Sequence, residues 1–151
     1  MQGNSTLVRV LAIGIVSASL AACTTSGGYF SPQTSMDAAN LQAPAADAVA
    51  ADMVARLAEH VGPGTGTIVL KTDNTAFASA FEKHLREWGY AVDATATGPK
   101  AIALAYTVDS LDGDVIARVS TPGVELARQY QATKTGAVAS SPLSVMKHGE
   151  T

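Results

Sequence analysis

The chain reads as an α+β domain, a small mostly antiparallel sheet with two amphipathic helices on one face, behind a lipoprotein signal peptide and a flexible tether. Three observations predict it. Apolar residues recur every four positions in two segments before Gly89, and the period drops to two after it. At the N-terminus an apolar run ends at the single cysteine of the chain, Cys23.

That N-terminal run justifies the signal peptide over residues 1–22. Arg9 supplies a thin positive region, and Val10 to Leu20 supplies an apolar stretch too short to span a bilayer as a permanent helix. Leu20, Ala21 and Ala22 fill the positions before a cleavage site at Cys23, whose sulfur and new amino group would carry diacylglycerol and an N-acyl chain. At about 0.8 kcal/mol per buried methylene, two or three acyl chains hold a protein on a membrane, whereas one does not. Residue 24 is threonine rather than aspartate, which by the sorting rule for such lipoproteins places the anchor in the outer membrane with the polypeptide facing the periplasm. The competing reading is an apolar helix that buries its cysteine; the abrupt shift to Thr24-Thr25-Ser26-Gly27-Gly28 weighs against it.

Removal of the signal leaves room for one small core. With Cys23 consumed by lipid, no thiol remains for a disulfide, a zinc-thiolate site or a nucleophile, and no other cofactor is expected. The formal net charge of −3 is scattered without a basic run, so direct nucleic-acid binding is not expected. Residues 23–45 are mostly small and polar, which cannot offset ordering entropy and predicts a tether. Tyr29 and Phe30 stand out in it, and two readings are open: interfacial aromatics at the lipid headgroups, or an anchor pair for a partner protein.

The domain is assigned to residues 46–135. Val49, Met53, Leu57 and Val61 space one helix, with Asp47 near its start, and Gly62-Pro63-Gly64-Thr65-Gly66 stops it. Thr67 to Leu70 reads as a strand. Asn74 is placed to cap a second helix with Phe77, Phe81, Leu85 and Trp88 on its apolar face and Gly89 at its end. Tyr90 to Ala94 reads as a strand, and Ala101 to Val108 alternates with Ile102, Leu104, Tyr106 and Val108 on one face. Its opposite, alanine-rich face is small enough for a helix to pack on. Asp112-Gly113 turns the chain into Val115 to Ser120, and Pro122-Gly123 into Val124 to Thr133. Residues 136–151 return to Gly, Ala, Ser and Pro and are read as a flexible tail. In it the apolar patch at Leu143 and Val145 is a candidate for adding a strand to a partner's sheet.

Fragments that look catalytic fail on context. Ser144-Val145-Met146-Lys147 matches Ser-x-x-Lys and Lys134-Thr135-Gly136 matches Lys-Thr-Gly, but in reversed order and in too short a chain. The glycines at 62–66 follow a helix and precede a strand, the reverse of a phosphate cradle. Asp109, Asp112 and Asp114 lack the glycine and glutamate of a calcium loop. His60, His84 and His148 lack ligand spacing, and His84 with Glu87 reads as a helix-surface pair. No metal site and no enzyme are expected.

The lipobox, the tether, the helix Phe77-Ala78-Ser79-Ala80-Phe81-Glu82-Lys83-His84-Leu85-Arg86-Glu87-Trp88-Gly89-Tyr90, the small sheet and the stretch Ser141 to Lys147 together resemble the TrbH family of conjugal transfer lipoproteins. The resemblance covers nearly the whole chain. It implies a structural role in a type IV secretion apparatus, pinning an outer-membrane core complex, with the channel and other subunits as partners and several copies in a ring. It carries over no catalytic residue. A reading of another class stays open: an envelope lipoprotein that binds a small ligand in a pocket between helices and sheet, or serves assembly and quality control.

Overall fold

The structure, a computed structural model, describes residues 34–149. Its elements run β1 (Met36–Asp37), α1 (Ala43–Ala58), β2 (Thr67–Leu70), α2 (Ala76–Glu87), β3 (Ala91–Val92), β4 (Ala101–Leu111), β5 (Asp114–Ser120), β6 (Val124–Thr133), β7 (Gly136–Ala139) and β8 (Ser144–Lys147). Strand β4 is long enough to be shared between partners. Its first half pairs in parallel with β2, from Thr67↔Ala101 to Leu70↔Leu104, and β2 pairs in parallel with β3. Its second half pairs in parallel with β1 at Met36↔Thr107 and antiparallel with β5 from Ala105↔Ser120 to Leu111↔Asp114. The meander continues antiparallel through β6, which β7 and β8 flank in succession along one edge.

Alternation fixes which face is inside. Leu104, Tyr106 and Val108 of β4 are buried with Val115, Ala117 and Val119 of β5 and Leu126 and Tyr130 of β6. The two helices pack on this face and on each other. Phe77 and Phe81 of α2 stack at 5.5 Å, and both meet the Tyr106 ring edge-on, at 4.9 and 5.5 Å. Asp112 and Gly113 both take positive φ, 51° and 89°, which is the twist that closes a two-residue hairpin between β4 and β5.

Several expectations are corrected. Helix α1 starts at Ala43 rather than Ala46, because Pro44 in its first turn presets the helical φ while Gln42, with no side-chain cap bond, leaves no start signal. The cap of α2 is Thr75, whose hydroxyl accepts the Ala78 N–H; Asn74 takes a left-handed φ of 59° instead. The alanine face of β4 carries no helix, and Ala103 on it is exposed. Residues 34–42, assigned to the tether, join the domain through β1 and the buried Leu41. Residues 136–147, assigned to the tail, form β7 and β8, because β6 otherwise leaves a full row of backbone groups unpaired.

Candidate functional site

Of the residues singled out in the sequence, Leu143 and Val145 meet at the β7–β8 edge. Cys23, its flanking Leu20, Ala21 and Ala22, and Tyr29 and Phe30 lie outside the described residues. Leu143 packs partly against the core, whereas Val145 is exposed on the edge strand.

The edge is built by β6. The Ser140 N–H donates to Gln129 O at 2.9 Å and the His148 N–H to Gly123 O at 3.0 Å, which turns the even-numbered residues of both strands toward β6. Ala137, Ala139, Val145 and Lys147 therefore aim their backbone N–H and C=O away from the sheet. Between the two strands the chain bulges through Ser141 and Pro142, where the Ser141 hydroxyl accepts the Gln129 N–H at 2.9 Å in place of a ladder bond. Val138, Val145 and Met146 are exposed there, Val138 to 66%. Sequence reading missed Val138 and Met146 because a stretch of small residues looked unordered. The available signal was the two-residue Lys134-Thr135 turn between Thr133 and Gly136.

A polar network clamps this edge to α1. Arg128 donates to Asp52 Oδ2 at 2.9 Å and, through Nε, to the Ser141 carbonyl at 3.1 Å. Tyr130 donates its hydroxyl to the same Asp52 oxygen at 2.7 Å, and burial with the neighbouring Asp52 carboxylate pushes the phenol far above its ordinary value.

A second network sits where the chain enters the domain. Asp73 accepts the Tyr106 hydroxyl at 2.6 Å and the Asp37 N–H at 2.5 Å. Burial opposes its charge, yet these bonds and those from Thr75 hold it below the usual carboxylate range. Asp37 accepts the Asn40 and Leu41 N–H groups and is pushed up, chiefly by burial.

Met53, Leu57, Phe77, Phe81 and Tyr106 are fully buried in the core between the helices and the sheet. A cleft of about 670 Å³ instead opens at the end of the sheet, between the start of α1 and the β6–β7 turn, lined by Leu41, Pro44, Ala45, Val115, Ala132 and Lys134. His84 bridges Asp47 of α1 and Glu87, each at 3.0 Å, a surface tie between the helices. Ser144 and Lys147 lie on opposite faces of β8. Among the described residues, no three His, Cys, Asp or Glu side chains converge as a metal-binding group, and no helix is long and apolar enough to cross a membrane.

No solved structure matches the chain. A protein of Sinorhizobium fredii (strain NBRC 101917 / NGR234), described as a probable conjugal transfer protein TrbH, is 45% identical over 121 residues, covering 76% of this chain and 82% of the relative. The family described as conjugal transfer protein TrbH matches residues 24–149. The helix, sheet and edge described above thus all fall within the matched span, and the chain belongs to the TrbH family of conjugal transfer proteins.

Proposed function

We propose that this chain is a non-catalytic structural component of a conjugative type IV secretion apparatus, anchored by lipid on Cys23 in the outer membrane and facing the periplasm. The family match over residues 24–149 carries the reading, since it supports a role in conjugative transfer. That span opens one residue after Cys23, in keeping with a lipidated N-terminus. The finer placement draws on the signal-like pattern Leu20-Ala21-Ala22-Cys23 and on an edge whose exposed Val138, Val145 and Met146 suit protein contacts. Partners on this reading are the channel and other transfer subunits, in several copies about a ring, with Tyr29 and Phe30 as contacts along the tether.

Mild-detergent extraction of the donor envelope, with sizing and mass spectrometry, tests it beside a Cys23→Ala variant. The proposal expects the wild type in a large assembly with transfer subunits and the variant lost from it. A wild type recovered free of such subunits contradicts it, as does a wild type that leaves the membrane without detergent.

A further inference from the structure

We infer that the β7–β8 edge is a strand-accepting surface whose partner is an extended protein segment that alternates apolar with acidic side chains. The inference rests on the structural reading above and gives the partner its chemistry. The edge offers Ala137, Ala139, Val145 and Lys147 as two short sets of donors and acceptors that pair with no strand among the described residues, the requirement for adding a strand. Beside them Val138 and Met146 project from the helix-free face and Val145 from the other, so an added strand finds apolar contact on both faces.

Charge selects among occupants. From Lys134 to Gly149 the edge segment carries Lys134 and Lys147 and no acidic residue, although the whole chain is net negative; the carboxylates beside it, Asp114 on the Ser140 hydroxyl and Glu125 opposite Met146, belong to β5 and β6 behind the edge. Pairing this edge antiparallel with a second copy about Ser141 would set Lys147 of one copy against Thr135 of the other, beside Lys134, bringing the lysines of the two copies together. Like charges across a ladder destabilise it, whereas carboxylates on a partner strand would meet lysines at both ends. The chain also defends the edge against indiscriminate pairing: both strands are short, Pro142 breaks them, and Lys147 ends one. What remains is an edge open to a partner that neutralises its lysines.

The test uses the full-length protein in detergent and two labelled ten-residue peptides, one alternating valine with glutamate and one alternating valine with lysine, followed by fluorescence anisotropy. The glutamate peptide should bind about tenfold or more tightly than the lysine peptide. Ala137→Pro with Val145→Pro removes two outward donors that no ladder bond uses, so binding should fall about tenfold while the circular dichroism spectrum is kept. Should that variant fail to fold, Lys134→Glu with Lys147→Glu should reverse the peptide preference. Equal binding of both peptides, unchanged preference after charge reversal, or concentration-dependent dimers lost in the proline variant would each overturn the inference. Peptide binding that follows these rules while plasmid transfer is undiminished in a donor lacking the gene would sink the structural reading instead and leave the edge intact.

Discussion

The hydroxyl of Tyr106 donates to Asp73 at 2.6 Å, and the same carboxylate accepts the backbone N–H of Asp37 at 2.5 Å. A residue in the centre of the sheet thereby fixes the acceptor that holds β1, the segment through which the chain enters the domain. On the anchored reading, any pull from the membrane arrives at this strand, whose few ladder bonds to β4 are reinforced by Asp73.

Tyr106→Phe keeps the ring that Phe77 and Phe81 pack against and removes only the donor. The variant should lose about 1–2 kcal/mol in urea unfolding, the range for a hydrogen bond to a charged acceptor that is partly solvated. Unchanged stability would mean that Asp73 is held without it.

The pH dependence has a defined sign. Asp73 ionises more readily folded than unfolded, so its contribution is present above its unfolded value near 3.8 and is lost as pH falls through the lower folded value. Asp37 runs the other way: its folded value is raised, so its contribution is present below about 3.8 and is lost as pH rises through the folded value. Asp73→Asn should flatten the acid limb of a melting-temperature profile, and Asp37→Asn should change the stretch just above pH 3.8. Two profiles that overlay the wild type would contradict this assignment.

Asp52→Ala strands two donors, Arg128 and Tyr130, on the clamp behind the β7–β8 edge. A cost of about 2 kcal/mol is expected, and Tyr130→Phe in the same chain should add less than it does alone, because the two share one acceptor. Full additivity in the double-mutant cycle would show that the bonds are independent.

Gly66 sits where the backbone of β2 begins and β4 arrives. A Cβ there would meet the Lys100 carbonyl at 2.4 Å, whereas one at Gly62 would meet nothing within 4 Å. Gly66→Ala should cost about 1–3 kcal/mol and Gly62→Ala little, as read by thermal unfolding. Equal effects would show that loop freedom, not close approach, is what matters here.

The parts of the fold legible in the sequence were those with a strong period. Phe77, Phe81 and Leu85 on α2, the alternation of β4 and the Asp112-Gly113 turn stand in the structure as their spacing predicts, whereas Trp88, expected on the same apolar face, falls just past the helix end as its C-cap and is 47% exposed. What was hidden depends on partners distant in sequence. Strand β1 is two residues held by Asp73 from 36 positions away, and β7 and β8 are small-residue segments ordered by pairing with β6. The same cause limited the site. Val145 was visible as an apolar residue among polar ones, but its role as an edge, and the exposure of Val138 and Met146, come from β6 beside them. The family itself was legible, carried by the α2 segment, the lipobox and the stretch from Ser141 to Lys147.

A lipid-anchored structural protein that serves conjugative transfer must be needed, with its anchor, in the donor cell. Plasmid transfer frequency tests it in a donor lacking the gene and supplied with wild type, the Cys23→Ala chain, or neither. Wild type should restore transfer, and Cys23→Ala, expressed at the same level, should leave it near that of the donor lacking the gene. Full restoration by the unlipidated chain would contradict the anchor, and undiminished transfer without the gene would contradict the role itself.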